Sequence, residues 1–155
     1  MKKYLILHNI RSVYNVGAIF RTADAIGIAR IYLTGYTPSP LDRFGRPRND
    51  FAKAALGAEK TIAWESQKIP VSLIKKLKKE GFLIVGVEQD RQAIDYKKFK
   101  VPKKTAVLLG NEVKGVSPAL RKNCDCLIEI PMKGKKESLN VSVAAGVVLY
   151  QLFDK

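Results

Sequence analysis

Apolar residues come in short unbroken runs, separated by longer stretches with helical spacing. Residues 4–10, YLILHNI, predict a strand. In the next segment, residues 15–27, NVGAIFRTADAIG, the side chains of Val16, Ile19, Phe20, Ala23 and Ile26 fall on one stripe, as in a core-facing helix. RIYLT (30–34) predicts a second strand, followed by a loop rich in Pro, Gly and Arg and a short helix over 51–56. TIAW (61–64) is a brief strand, and PVSLIKKLKKEG (70–81) is an amphipathic helix with proline at its start and glycine at its end. Lys75, Lys76, Lys78 and Lys79 form its solvated face. FLIVGVE and TAVLLG are apolar throughout, the pattern of strands buried on both faces of a parallel sheet. A short helix capped by Ser117 and opened by Pro118, a strand at CLIEIP and a last helix over about 139–153 complete the chain. Strands alternating with helices predict a doubly wound α/β sheet.

Two helices carry oddities. In the first, Arg21 points away from the apolar stripe, and its neighbours one turn away are Gly17, Ala18, Asp24 and Ala25. A long cation thus stands in a clearing of short side chains. The last helix is apolar nearly all round, so it requires cover on more than one side. Part of that cover is expected from a second subunit.

Charge narrows the partners. Twenty-eight Lys and Arg against 14 Asp and Glu leave +14 on 155 residues, an excess that favours polyanions. The cations are spread through loops and one helix face, as on a folded surface that meets nucleic-acid phosphates. No apolar run approaches the roughly 18 residues of a membrane span, and no leader pattern precedes the first strand. Cys124 and Cys126, placed on one strand, would share a face with poor geometry for a mutual disulfide. They read as reduced residues of a cytoplasmic protein. His8 is the sole histidine, too few for an ordinary zinc site, and no metal is expected.

Common nucleotide and hydrolase signatures fail. No G-x-G-x-x-G occurs, and GNEVKGVS has Val116 where a P-loop needs lysine. His8 has no G-x-S-x-G partner. Three polar clusters remain beside apolar strands, where open parallel sheets bind ligands. They are HNIRSVYNVGAIFRTADAIG, LLGNEVKGVSP and IPMKGKKESLNVSVAAG. Taken singly each has a plain structural role: Asn15 and Ser138 as helix caps, Glu112 as a turn residue, and Lys133, Lys135 and Lys136 as a solvated loop.

Taken together and in this order, the clusters resemble the SpoU family of RNA 2′-O-ribose methyltransferases, in the SPOUT superfamily. The pattern N-x-G-x-x-x-R-T stands at residues 15–22, the glycine-framed VLLGNEVKG at 107–115, and I-P-M with S-L-N-V-S at 130–142. Val107 replaces the leading leucine of the second motif. The resemblance spans nearly the whole chain. It implies one catalytic domain over 1–155, without an added RNA-binding domain, built as an α/β parallel sheet flanked by helices. Its C-terminal segment would thread a loop as a deep trefoil knot, a feature rare enough that the family alone carries it.

The resemblance further implies S-adenosylmethionine held by Leu109, Gly110, Asn111, Gly115, Ile130, Met132, Ser138 and Leu139, with the two glycines giving close backbone approach. It implies a homodimer with its active site at the subunit boundary. Arg21 matches the catalytic arginine, as a base assisted by an RNA phosphate or as a phosphate and alkoxide clamp. Asn15, Glu112, Ser138 and Asn140 take orienting roles. Arg11, Arg43, Arg46 and Arg48 are the phosphate-contact candidates, followed by Lys97, Lys98, Lys100, Lys103 and Lys104. The substrate implied is tRNA or rRNA. Two rivals stand beside this reading: a non-catalytic RNA-binding module that keeps the fold, and a methyltransferase acting on a base.

Overall fold

The computed structural model describes residues 1–155. Seven strands form one sheet: β1 (Lys2–His8), β2 (Arg30–Thr34), β3 (Ala63–Gln67), β4 (Leu83–Val87), β5 (Ile94–Asp95), β6 (Lys104–Leu109) and β7 (Cys126–Glu129). Their order is β3-β2-β1-β6-β4-β7-β5, and every pairing is parallel. Six helices cover it: α1 (Val13–Ala25), α2 (Asn49–Ala55), α3 (Ala58–Thr61), α4 (Pro70–Lys79), α5 (Pro118–Asn123) and α6 (Val141–Phe153).

Alternation along the strands assigns the two faces. Leu5, Leu7, Val107 and Leu109 pack with Val16, Phe20, Phe51 and Leu149, under α1, α2 and α6. Ile6, Ala106 and Leu108 pack on the other side with Leu73, Ile74, Leu77 and Leu120, under α4 and α5. Leu5, Ile6 and Leu7 are all fully buried, as a central parallel strand requires. No helix is long and apolar enough to cross a membrane.

Two expectations shift and one strand is added. Thr61 closes α3 and the third strand starts at Ala63, because an edge strand tolerates the polar run AWESQ. Strand β5 is two residues long and carries no apolar run to announce it. Cys124 caps α5 while Cys126 opens β7, so they do not share a strand; both are free, and burial pushes the Cys124 thiol up to about 11.

The strand order places the site. From β1 the chain moves to β2 on one side, and from β6 it moves to β7 on the other, while β1 and β6 lie side by side. Their carboxyl ends therefore open a crevice at a topological switch point, the usual ligand position in such sheets.

Candidate active site

The loop after β6 is a tight turn that holds itself. Asn111 and Gly115 exchange backbone hydrogen bonds of 3.2 and 2.9 Å, and the Asn111 side-chain oxygen accepts from the N–H groups of Val113 and Lys114, both at 2.9 Å. A Cβ on Gly110 would lie 2.6 Å from the Gly115 carbonyl group, and Gly115 has φ of +65° with the Glu88 carboxylate where its Cβ would stand. Both glycines are thus required by the turn itself, and both also line the cleft described below. Glu88 also accepts from Val116 N–H at 2.7 Å, fastening the end of β4 to this loop.

Glu112 joins the three clusters. Its Oε1 accepts from Arg11 N–H (3.1 Å), and its Oε2 from Ser12 N–H (3.0 Å) and the Asn15 side-chain amide (3.4 Å). Asn15 Oδ1 in turn accepts from the Asn140 amide at 3.3 Å. Burial alone would raise the Glu112 carboxyl, but its own N–H, those of Ser12 and Arg11 and the Asn15 amide together hold it below the ordinary value. The carboxylate also faces the N-terminus of α1, where the helix dipole favours an anion. The capping roles fall elsewhere than Asn15 and Ser138. Ser12 caps α1, accepting from Asn15 N–H at 3.1 Å, and Asn140 caps α6, accepting from Ser142 N–H at 2.8 Å. Asn15 lies inside α1, 7% exposed, with its polar end spent on Glu112 and Asn140.

Beside this chain of contacts lies a cleft of about 310 Å³. Leu109, Gly110, Asn111, Gly115, Ile130, Met132, Ser138 and Leu139 all line it, as does Glu112. So do residues that the motifs did not single out, above all Glu88, Gln89, Glu129 and Glu137. The position of Glu88 at the end of an apolar strand was a readable signal. Glu137 in its lysine-rich loop offered none. Four acidic residues line the cleft beside one lysine, Lys114; Glu88 is paired with Arg121 at 3.9 Å and Glu112 is spent on the start of α1, so Glu129 and Glu137 are the carboxylates without an ion pair. A chain of net charge +14 therefore encloses an acidic, partly apolar hollow, suited to a small cation with an apolar body.

Arg21 does not reach this cleft. It is exposed in a separate groove between α1 and α6, with Tyr14, Ala18, Ala25, Ala54 and Tyr150. The six-position step from Asn15 to Arg21 corresponds to about 9 Å along the helix and about 120° around it. The ion pairs of the chain use Arg30, Arg48, Lys78 and Arg121, leaving the Arg21 guanidinium without a carboxylate. Gly17 is not part of the clearing. It is buried, and a Cβ there would lie 2.5 Å from the Ala54 Cβ, so it serves the contact of α1 with α2. Among the phosphate candidates, Arg11, Arg43 and Arg46 are exposed. Arg48 differs, because its guanidinium grips the Asp50 carboxylate by two bonds of 3.1 and 2.9 Å, which raises its basicity further. His8 bonds to Thr34 Oγ1 at 2.9 Å, and burial lowers its imidazole.

Comparison with known proteins matches residues 2–150 to the model of the SpoU rRNA Methylase family. An uncharacterised tRNA/rRNA methyltransferase of Archaeoglobus fulgidus is 38% identical over 148 residues, 96% of this chain and 62% of that protein. A tRNA (guanosine(18)-2′-O)-methyltransferase of Aquifex aeolicus is 34% identical over 143 residues, 92% of this chain and 64% of that protein. The chain thus spans somewhat less than two thirds of the length of these relatives. The crystal structure of an AdoMet-bound rRNA methyltransferase from Sinorhizobium meliloti superposes with a TM-score of 0.87 at 28% identity, over 97% of this chain and 55% of that one.

Proposed function

The chain belongs to the SpoU rRNA Methylase family, and on that premise we propose that it transfers the methyl group of S-adenosylmethionine to a ribose 2′-hydroxyl of tRNA or rRNA. One observation carries the proposal. Glu112, Asn15 and Asn140, from three distant segments, are hydrogen-bonded in series beside the acidic cleft.

The cleft fits the cofactor by charge and lining. S-adenosylmethionine supplies, when bound, a methyl group activated by a positively charged sulfonium. Leu109, Ile130, Met132 and Leu139 give apolar walls, and Glu129 and Glu137 offer the anionic field that a sulfonium and an ammonium favour. Methyl transfer to oxygen breaks a C–S bond, forms an O–C bond and releases the hydroxyl proton. Holding the reacting atoms in line is worth about 7–11 kcal/mol, and that is the work assigned to the rigid turn at 110–115.

Glu112 orients and does not accept the proton. Both its oxygens are occupied by N–H donors, and its carboxyl is held below the ordinary range. Asn15 and Asn140 extend the same support, and Ser138 stands free on the cleft wall to meet a ligand. Arg21 acts as a clamp. A guanidinium keeps its charge and presents a planar fork that suits a phosphate and a developing alkoxide, so the proton passes to phosphate or water.

The working form is a homodimer in this reading. Arg21 lies apart from the cleft in a groove whose lining includes the exposed Tyr14 and Tyr150, and Val143 and Val147 are exposed on the same helix as Tyr150. A second copy seated there covers these apolar groups and brings the partner's guanidinium toward the cleft. The trefoil knot belongs to the same reading. Residues 88–93 join β4 to β5 across the end of β7, which lies between them, so the chain leaving β7 passes this link on one side. Passage beneath it makes the knot.

Titration calorimetry with S-adenosylmethionine and its demethylated product tests the assignment. Saturable binding at one site per chain is expected, weakened by at least about tenfold in Glu137→Lys plus Glu129→Gln, as a loss of roughly 1.4 kcal/mol of charge attraction implies. Absence of binding by either compound overturns the enzymatic reading and leaves an RNA-binding module.

A further inference from the structure

The loop that follows β2 ends in a built tip. Leu41 and Pro47 pair as an antiparallel bridge. Asp42 donates its N–H to the Arg46 carbonyl at 2.8 Å and accepts on its own carbonyl from Gly45 N–H at 3.0 Å. One oxygen of its carboxylate accepts from both Phe44 N–H (2.8 Å) and Arg46 N–H (2.9 Å). These bonds hold Phe44 outward, and the ring is 67% exposed. The guanidinium carbons of Arg43 and Arg46 lie 4.8 and 5.6 Å from its centroid, within cation–π range.

A large apolar ring costs solvation when exposed, and here the backbone fixes it in place instead of folding it inward. Flanking cations exclude an apolar partner and match a polyanion. A flat ring beside two guanidinium groups is the equipment of a single-stranded nucleic-acid platform, where a base stacks on the ring and the backbone follows the charges. Arg48 stays out of this group, being held by Asp50. The foot of the loop is tied to the cleft. Tyr36 Oη accepts from the Asn111 side chain at 2.9 Å, and Tyr36 N–H donates to Asn9 Oδ1 at 3.1 Å.

We propose that Phe44 is a stacking surface for an unpaired RNA base, with Arg43 and Arg46 holding the neighbouring phosphates. The proposal deepens the reading of an RNA substrate and rests on it for the class of ligand. It assigns the protein a preference for exposed loop nucleotides over paired helix.

The test uses the full chain and a single-stranded RNA oligonucleotide carrying 2-aminopurine, whose fluorescence falls on stacking, beside a perfectly paired RNA of equal length. Phe44→Leu is expected to weaken single-strand binding about 5- to 150-fold, the range for one lost base–aromatic stack, with an unchanged salt slope. The paired RNA should scarcely respond, and Phe44→Tyr should bind as the parent does. Arg43→Gln with Arg46→Gln should flatten the log–log salt dependence by about one unit per lost phosphate contact. Single-strand binding by Phe44→Leu within twofold of the parent overturns the platform, as does an equal loss on paired RNA. The methyl-transfer reading fails separately: a parent protein that quenches 2-aminopurine through Phe44 yet transfers no methyl keeps the platform and loses the reaction.

Discussion

At the scale of single residues, Glu112 and Arg21 carry opposite kinds of work. Glu112 receives three N–H donors from α1 and the residues before it, so the charge it holds is structural. Glu112→Gln points an NH₂ group at one of those donors and should cost on the order of 1 kcal/mol, the scale of one lost hydrogen bond at a half-buried site. The pH dependence has a definite sign. The folded carboxyl lies below its ordinary value of 4.5, so its stabilisation is complete above that pH and disappears as pH falls through the folded value. Thermal melts should therefore show the gap between parent and Glu112→Gln narrowing below pH 4.5; a gap that widens on acidification contradicts the assignment. Arg21, by contrast, is exposed and unpaired by carboxylate. Arg21→Ala should leave cofactor affinity nearly unchanged in calorimetry and lower methyl transfer at least about a hundredfold. Arg21→Lys should recover little, since an ammonium lacks the planar fork. Near-normal turnover in either variant makes the arginine a surface charge.

Among elements, the contact of α1 with α2 is decided by one missing methyl group. Gly17→Ala gains up to about 1 kcal/mol of helix propensity. Its new Cβ, however, meets Ala54 Cβ at 2.5 Å and the Ala55 backbone nitrogen at 3.1 Å, and backbone cannot simply rotate away. Overpacking of this kind costs about 1–3 kcal/mol, so a net loss near 1 kcal/mol and a Tm lower by about 2–4 °C are expected in calorimetric melts. A higher Tm would show that the two helices separate freely. The same element explains what the amino-acid pattern conveyed and what it did not. The period of 3.6 in α1 and the solid apolar runs of β1, β4 and β6 are local properties, and they announced those elements directly. TIAW announced β3 but not its polar end, and two-residue β5 not at all, because residues 65–67 and Ile94–Asp95 are held by neighbours in the sheet. The second and third motifs led to the cleft walls because glycine turns and polar strand ends are local features. Glu129 and Glu137 joined them only through the fold, and the separation of Arg21 from the cleft depends on how α6 lies against α1.

For the whole molecule, charge and association are the measurable consequences. The exposed Val143, Val147 and Tyr150 are spaced at four and three residues on α6, one stripe left bare by a single chain. Sedimentation at micromolar concentration should show a dimer, and Tyr150→Glu should raise its dissociation constant by at least about tenfold, the equivalent of losing one buried aromatic contact. A monomeric parent contradicts the shared site. The central claim is the atom that receives the methyl group, and one labelling measurement addresses it directly. The protein is incubated with RNA and S-adenosylmethionine bearing a deuterated methyl, and the digested nucleosides are read by mass spectrometry. The account predicts label on the ribose of a 2′-O-methyl nucleoside, and no label when the target nucleotide is supplied in its 2′-deoxy form. Label on a base, or transfer that persists without the 2′-hydroxyl, contradicts it.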